Sequence, residues 1–341
     1  MNLLRKLLFP FAVLYGLVTC IRNFLFDKGV LKSYSFELPI IAVGNLSVGG
    51  TGKTPQIEYL IRLLSDKYKI ATLSRGYKRQ SKGFILAEAT SNAETLGDEP
   101  FQFCQKFPSI QVAVDADRKN GIEQLLSLSI KPEVILLDDA FQHRKVKAGF
   151  YILLTSYGDL YSDDCMLPTG NLRESQSGAA RANVIMVTKC PHNLSFEEQD
   201  DIKKRLKVGK NQELYFTFIA YDGYIYGENL KIKGNEIQDA AKVLVAGIAK
   251  PEPFFAYFKD TNEVCLSFPD HHNFTDKDIL EIKKLAQNNM IITTEKDYMR
   301  LKGSLPSGQL FYLPIKSTFI FGSENFDKTI TDYVGTSTGN R

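Results

Sequence analysis

The sequence is poor in the residues that build metal and redox sites. It has four histidines and five cysteines among 341 residues, and the cysteines are scattered without CxxC spacing. This pattern argues against a zinc site and is typical of free thiols in a reducing cytosol. A histidine used in chemistry must come from a short set: His143, His192, His271 and His272.

Net charge is also small. The formal charge is +3 for 341 residues, which predicts that the protein binds no nucleic acid. The length exceeds what one compact domain usually holds, so we expect two domains. We also expect a monomer.

A long apolar span is missing as well. The uncharged run from Leu7 to Ile21 is shorter than the roughly 20 residues of a spanning helix, and Pro10 interrupts it. A signal peptide is an alternative, but no small-residue cleavage site follows. Aromatic and leucine side chains with flanking cations favour a membrane-interface helix over residues 1–30. A helix buried against the domain is the other alternative. The flanking cations are Arg5, Lys6, Arg22, Lys28 and Lys32.

The most informative stretch runs from Gly44 to Pro55, with the sequence GNLSVGGTGKTP. It follows an apolar run over 38–43, which predicts a buried strand, and precedes helical apolar spacing over 56–64. Strand, glycine-rich loop, Lys-Thr and helix is the layout of a phosphate-binding P-loop. The strict pattern has glycine at position 47, where this chain has Ser47.

The P-loop residues have distinct expected roles. Backbone N–H groups of the loop and the dipole of the following helix favour phosphate oxygens. Lys53 is expected to reach the β- and γ-phosphates, and the Thr54 hydroxyl to bind Mg²⁺. The stretch therefore predicts ATP and Mg²⁺ as cofactors. The predicted phosphate-binding residues are Gly49, Gly50, Thr51, Gly52, Lys53 and Thr54.

A second signal is the run Val134 to Asp139, in which four apolar residues precede Asp138 and Asp139. A buried strand of this form carries a carboxylate to the sheet edge beside Thr54, where Mg²⁺ sits. Adjacent side chains of an extended chain point to opposite faces. One aspartate therefore binds metal directly while the other acts through water or on the substrate, and the sequence leaves open which.

Two other loops carry charged candidates. The turn over 167–174 ends in Arg173 and Glu174, which present a cation to the γ-phosphate and a carboxylate to the metal. Asp98 precedes an amphipathic helix predicted over 101–107. Its alternatives are a helix cap and a catalytic carboxylate.

The alternation of strands and helices from 38 to 188 predicts an α/β fold with a P-loop NTPase-type, doubly wound, mainly parallel sheet. Strands after residue 242 predict a second, smaller α/β domain, and the N-terminal apolar helix stands apart. The expected boundaries are 31–212 for the P-loop domain, 213–227 for a hairpin or hinge, 228–334 for the second domain and 335–341 for a flexible tail.

Together these segments resemble the tetraacyldisaccharide 4′-kinases of lipid A biosynthesis, over nearly the whole chain. The family's own P-loop has the same departure at Ser47. The segments that carry the resemblance, in order, are 44–55, 74–77 (SRGY), 97–100 (GDEP), 138–143 (DDAFQH), 170–174 (GNLRE), 247–251 (GIAKP), 270–271 (DH) and 294–297 (TEKD).

The resemblance implies a peripheral enzyme on the cytoplasmic face of the inner membrane. It would move the γ-phosphoryl group of ATP to the 4′-hydroxyl of tetraacyldisaccharide 1-phosphate, giving lipid IVA. It implies Asp98 as the base, assisted by His271, with His272 as the alternative partner. Lys53, Asp138 and Asp139 complete the implied catalytic set.

Two rival functions remain. One is a P-loop GTPase or ATPase of the metallochaperone type. Guanine selectivity would predict Asn/Thr-Lys-x-Asp at a late strand end, and Thr188-Lys189-Cys190-Pro191 lacks the aspartate. A membrane-associated nucleotide-binding scaffold would not need the intact Lys53, Thr54 and aspartate pair.

Overall fold

A computed structural model describes Arg5 and residues 7–237, 239–258, 263–270 and 272–338. The chain forms two compact units. The first comprises Met1–Ile219 with Ser317–Arg341, and the second comprises Ala220–Lys316.

The first unit contains a nine-stranded sheet with the order β15-β8-β7-β6-β1-β5-β2-β4-β3. The pairs from β8 to β4 are parallel, and β3 runs antiparallel to β4. The strands are β1 (Ile40–Asn45), β2 (Ile70–Ser74), β3 (Ile85–Leu86), β4 (Gln111–Val114), β5 (Val134–Asp138), β6 (Phe150–Ser156), β7 (Val184–Thr188), β8 (Glu213–Tyr221) and β15 (Ile315–Phe319).

Helices cover both faces of this sheet. The helices of this unit are α1 (Phe9–Asp27), α2 (Lys53–Leu64), α3 (Ala93–Leu96), α4 (Asp98–Lys106), α5 (Arg118–Leu126), α6 (Phe196–Leu206) and α10 (Ser323–Thr338), with 3₁₀ turns at Tyr161–Asp163 and Gln176–Arg181. Alternate residues of β1 enter opposite cores: Ile41 packs with Ile57 of α2, and Ile40 packs with Ile122 of α5. A strand covered on both faces must be apolar throughout, and every residue of β1 is buried. The predicted doubly wound, mainly parallel sheet is confirmed.

The register places the loops of interest at one edge. Val43 of β1 pairs with Asp138 of β5, and Leu73 of β2 pairs with Leu137. The carboxyl ends of these three parallel strands therefore lie side by side. The glycine-rich loop leaves the sheet at this edge, where open α/β sheets bind ligands.

The second unit contains a six-stranded sheet with the order β10-β9-β14-β13-β11-β12. The pairs between β14 and β12 are parallel, and β9 runs antiparallel to β10 and β14. This confirms a second, smaller α/β domain. The elements are β9 (Tyr224–Tyr226), β10 (Lys231–Lys233), β11 (Lys242–Ala246), α7 (Glu252–Tyr257), β12 (Glu263–Ser267), α8 (Asp276–Ala286), β13 (Met290–Thr294), α9 (Glu295–Leu301) and β14 (Leu310–Leu313).

Of the hairpin or hinge expected over 213–227, the hairpin alternative differs from the structure, and the division between the two units falls within this segment, after Ile219. β8 pairs in parallel with β7 in the first sheet, whereas β9 belongs to the second sheet. The alternating pattern around Asp222 and Gly223 is real, but Phe216 packs in a core of the first unit and Ile225 in a core of the second. Because their side chains are buried in two different cores, β8 and β9 do not pair with each other as a hairpin.

The C-terminal boundary also differs. Residues 317–334, predicted as part of the second domain, belong to the first unit. Phe326, Ile330 and Val334 line one face of α10 and are fully buried in the same core as Ile41. The helix extends to Thr338, into the tail predicted over 335–341, and residues 339–341 lie outside the described residues.

Helix α1 is longer than the uncharged run in the sequence. Pro10 does not interrupt it, because proline in the first helical turn lacks only a donor that is unpaired there anyway. Ala12 and Thr19 are buried on one face. Within the described residues, α1 is long and apolar enough to cross a bilayer by length and composition. The opposite face exposes large apolar side chains, among them Phe9, Phe11, Val13, Leu14, Leu17, Val18, Ile21 and Phe24.

Candidate active site

The glycine-rich loop ends where α2 begins at Lys53. Gly49 has a φ of 115° and Gly52 has a φ of 86°, a backbone conformation that glycine adopts without strain. The Thr188 hydroxyl at the end of β7 donates to the Thr51 carbonyl at 2.8 Å. Lys189 donates to the Gly50 carbonyl. The carboxyl end of β7 thus holds the loop at the N-terminus of α2, a position that favours anions.

Two cations converge on Asp139. Arg173 donates to both of its carboxylate oxygens, at 2.8 and 3.0 Å. Lys53 Nζ lies 3.7 Å from Asp139 Oδ1 and 3.4 Å from Asn45 Oδ1. Arg173 also donates to the backbone and side-chain oxygens of Asn45. The structure therefore brings together the predicted Lys53, Asp139 and Arg173 from three separate segments.

Asp139 is held as a carboxylate in an uncommon backbone conformation. Burial would raise its pKa, but the hydrogen bonds from Arg173 and the charge of Lys53 outweigh burial and hold the pKa below its ordinary value. Its φ is 48°, in the left-handed region that non-glycine residues seldom adopt. Such a conformation persists where surrounding contacts fix it, and it often marks a functional site.

Asp138 lies in a different environment. Its residue is 5% exposed, and its Oδ1 has no hydrogen-bond partner within the described part of the chain. Burial, with the negative charges of Glu99 and Asp139, raises the pKa of Asp138 to about 7. Because an unpartnered buried carboxylate among like charges is costly, this site favours a cation.

Two residues at this edge were missed by sequence reasoning. Asn45, the last residue of β1, accepts hydrogen bonds from the side chains of Lys53 and Arg173. Arg118 is 2% exposed and donates to the backbone carbonyls of Asp115 at 2.6 Å and Asp138 at 3.2 Å. Burial lowers the pKa of Arg118 to about 10, which still leaves it charged at neutral pH. The signal for Asn45 was its place inside the P-loop stretch. For Arg118, the only signal in the sequence was its position shortly after β4.

Glu174 has a different environment from the one predicted for a metal ligand. It is 2% exposed. Its Oε1 accepts from Gln142 at 2.9 Å and from Arg181 at 2.8 Å. Its Oε2 accepts from Asn23 of α1 at 2.9 Å. Both oxygens are thus engaged by protein donors, so the arrangement does not support the predicted metal role of Glu174.

Asp98 begins α4, and Gly97 occupies the N-cap with a φ of 91°. The capping alternative for Asp98 is therefore not what the structure has. The next residue, Glu99, lies close enough to Asp138 to raise its pKa. The start of α4 thus lies within electrostatic range of Asp138.

The described histidines show less connection to the candidate site than the aspartates do. His271 lies outside the described residues. The alternative His272 is engaged within the second unit, where its Nε2 lies 2.9 Å from Asp278 Oδ2 and its ring stacks on Phe268 at 5.0 Å. His143 is half-buried, and burial together with the charge of Arg118 lowers its pKa to about 4.

The doubly wound sheet, the glycine-rich loop at a helix N-terminus and the aspartates on the adjacent strand define a P-loop nucleotide-binding protein. A family model described as tetraacyldisaccharide-1-P 4′-kinase matches residues 4–335. The chain belongs to this family, and it is therefore an enzyme, a lipid kinase of lipid A biosynthesis.

Individual relatives agree with the family model. A tetraacyldisaccharide 4′-kinase from Flavobacterium johnsoniae is 69% identical over 98% of each chain. One from Phocaeicola vulgatus is 44% identical over 97% of this chain and 95% of its own. Among solved structures, the "apo" form of LpxK from Aquifex aeolicus in complex with ATP superposes with a TM-score of 0.79 at 30% identity, covering 97% of this chain and 100% of that one. The GTPase and scaffold alternatives are set aside.

Proposed function

We propose that this chain transfers the γ-phosphoryl group of ATP to the 4′-hydroxyl of tetraacyldisaccharide 1-phosphate, giving lipid IVA. The observation that carries the proposal is the convergence of Lys53 and Arg173 on Asp139 beside the glycine-rich loop. Both cations pair with the Asp139 carboxylate, next to the loop that is expected to bind phosphate. Their charge is what a transferring phosphoryl group requires.

The loop residues Gly49 to Gly52 and the N-terminus of α2 bind the phosphate chain. Lys53 and Arg173 orient the terminal phosphate and neutralise its developing charge. In this role Arg173 exchanges Asp139 for phosphate oxygens of similar geometry, because a guanidinium matches carboxylate and phosphate alike.

The oxygen donors at this edge fit Mg²⁺. Asp138 offers a buried oxygen without a hydrogen-bond partner in the described chain, and burial, with the negative charges of Glu99 and Asp139, raises its pKa. Asp138 and the half-buried Thr54 hydroxyl would hold the ion, with Asp139 nearby. When bound, Mg²⁺ neutralises charge on the phosphate oxygens. Since Asp138 is the aspartate with a buried oxygen that has no hydrogen-bond partner in the described chain, we assign the direct contact to Asp138.

Asp98 is proposed as the base that accepts the proton of the 4′-hydroxyl. Its place at the start of α4, next to Glu99 and the Asp138 charge, supports this role. A sugar hydroxyl must lose its proton during transfer, and a carboxylate within hydrogen-bond reach is a suitable acceptor. The assistance of His271 stays a prediction.

The exposed apolar face of α1 is proposed to lie in the lipid interface, at the cytoplasmic face of the inner membrane. Phe9, Phe11, Val13, Leu14, Leu17, Val18 and Phe24 on this face are each more than half exposed, as is typical of an interfacial helix. Arg22 and Lys28 are exposed near its C-terminus, where anionic head groups attract cations. The acceptor carries acyl chains, so the enzyme has to meet it at a lipid surface.

Two assays test the function. Radiolabelled phosphate should pass from ATP to the disaccharide lipid, and ADP release should rise when that lipid is added. Equal ADP release with and without the lipid would contradict the proposal. Asp98→Ala should lower turnover by on the order of 100-fold with nucleotide affinity retained. Asp200→Ala, at an exposed position on α6 of the same unit, is the control.

For the lipid surface, the double change Leu14→Glu and Leu17→Glu should weaken sedimentation with vesicles of phosphatidylethanolamine and phosphatidylglycerol. Ile130→Glu changes an equally exposed apolar side chain elsewhere on the unit and should leave sedimentation as it is. Unchanged binding of the α1 variant would remove the lipid role from this helix.

A further inference from the structure

Helix α1 touches the candidate site through polar atoms on its packed side. The Tyr15 hydroxyl donates to the Arg173 carbonyl at 2.9 Å. The Asn23 amide donates to the Glu174 carboxylate at 2.9 Å. These two residues lie eight positions apart on one helix and bind two consecutive residues of one loop. The helix therefore fixes the position of that loop at two adjacent points.

The loop residue contacted by Tyr15 also reaches the phosphate-binding edge. The Arg173 carbonyl accepts from α1, while its guanidinium spans both oxygens of Asp139. A planar guanidinium holds two oxygens only when its backbone is correctly placed. A shift of the Arg173 backbone would therefore move the guanidinium away from this geometry.

Glu174 connects α1 to the same edge by a second route. Its carboxylate, 2% exposed, accepts from both Asn23 and Gln142. The Gln142 amide also donates to the Asn45 carbonyl at 2.8 Å, and Asn45 in turn accepts from Arg173. Asn23 is thus two hydrogen-bonding residues away from the oxygen that Arg173 contacts.

The opposite side of α1 is the exposed apolar face described above. One rigid helix therefore carries an apolar surface on one side and the loop contacts on the other. A helix fixed by its surroundings on the first side orders what it holds on the second.

We propose that Tyr15 and Asn23 are positioning residues that couple the docking of α1 on a lipid surface to the placement of Arg173 at the phosphate site. The inference rests on the proposed function, in which α1 meets the lipid interface and Arg173 meets the terminal phosphate. Its consequence is that phosphoryl transfer is fastest when the helix is docked.

A kinetic cycle tests the coupling. Tyr15→Phe with Asn23→Ala should lower kcat roughly tenfold on vesicle-borne lipid, with the nucleotide dissociation constant changed less than about twofold. In an Arg173→Ala background the same pair should lower kcat less than about twofold, because the group that they position is gone. In an Asp98→Ala background the tenfold loss should remain. A merely structural role would give the same loss in both backgrounds, and that result would overturn the inference.

Matched changes control for the substitutions themselves. Tyr157→Phe removes a hydroxyl bonded to Glu198 elsewhere in the unit, and Asn211→Ala removes an exposed amide. Both should retain wild-type kcat. Tyr15→Phe alone keeps the ring and removes one hydrogen bond, so it separates coupling from failure to fold.

Amide hydrogen exchange supplies a readout that needs no turnover. Vesicles should slow exchange over 170–174 in the wild-type chain, and this slowing should disappear in the Tyr15→Phe and Asn23→Ala pair while the pair still sediments with vesicles. Slowing of equal size in both chains would contradict the inference. If the wild-type chain fails to phosphorylate the lipid, the proposed function fails, and the exchange result still decides the coupling.

Discussion

The Gln102 amide on α4 donates at 3.0 Å to the Glu58 carboxylate on α2. Glu58 is 1% exposed and also binds Arg62 and Lys106, at 2.8 and 2.7 Å. This buried carboxylate ties the helix that begins with Lys53 to the helix that begins with Asp98. The two proposed catalytic segments are therefore linked through their helices.

Removal of this acceptor should destabilise the protein. Glu58→Ala is expected to lower the free energy of unfolding by roughly 3–5 kcal/mol, because it strips a buried partner from Lys106 and Gln102. Urea unfolding measures the loss. Glu123→Ala breaks an exposed pair with Lys119 and should cost about 1 kcal/mol or less. Equal losses of unfolding free energy in the two variants would show that the buried Glu58 network stabilises the protein no more than an exposed ion pair does.

Arg173→Lys should lower turnover by at least about 100-fold, because a point charge cannot engage two oxygens as a guanidinium does. Nucleotide affinity should fall much less, since Lys53 and the loop remain. Steady-state kinetics with a separate nucleotide-binding measurement distinguish the two effects. Arg205→Lys, at an exposed pair with Asp163, should behave as wild type. Wild-type turnover of Arg173→Lys would exclude a bidentate role.

Glycine is required at position 44 because Phe141 packs directly against its Cα. A Cβ atom at this position would lie 2.7 Å from the Phe141 Cβ and 2.9 Å from the Phe141 nitrogen. Gly44→Ala should therefore cost about 1–3 kcal/mol in unfolding free energy and displace the turn that follows Asp139. Gly158→Ala adds the same methyl group where nothing lies within 4 Å. Equal thermal stability of the two variants would contradict this account of Gly44.

His143 should make stability depend on pH. Burial lowers its pKa from 6.5 to about 4, so the unfolded chain binds a proton first as the pH falls. The free energy of unfolding should therefore fall as the pH drops through 6.5 towards 4. His143→Gln should flatten this slope while leaving the difference between the two chains constant above pH 7. Urea unfolding at several pH values measures this dependence. If the unfolding free energies of the two chains changed with pH in parallel, the result would argue against burial of a neutral imidazole.

Much of the first unit could be predicted from local pattern. The strand before the P-loop, the helix after it and the run that ends in Asp138 each carry their own signal, because both faces of a parallel strand are buried. The sheet order places these three loops at one edge. For that reason Lys53, Thr54 and the aspartate pair were candidates from the sequence.

The rest depended on contacts between distant segments. Nothing near Glu174 in the sequence indicates that Asn23, Gln142 and Arg181 would engage both of its oxygens. Asn45 and Arg118 carry no motif of their own. The C-terminal boundary of the second domain was wrong for a similar reason. The apolar spacing of α10 indicates that the helix is buried, but it does not indicate which core the helix joins.

The route of the chain has a consequence for synthesis on the ribosome. The polypeptide leaves the first unit after β8, completes the second unit and returns at β15, the strand that lies beside β8 at the edge of the nine-stranded sheet. Phe319, Phe326, Ile330 and Val334 join the core of Ile41 only then. Translation therefore has to pass Val334 before the core beneath the glycine-rich loop can close. A message truncated after codon 316 would yield a chain that contains every proposed catalytic residue and lacks the packing that holds them.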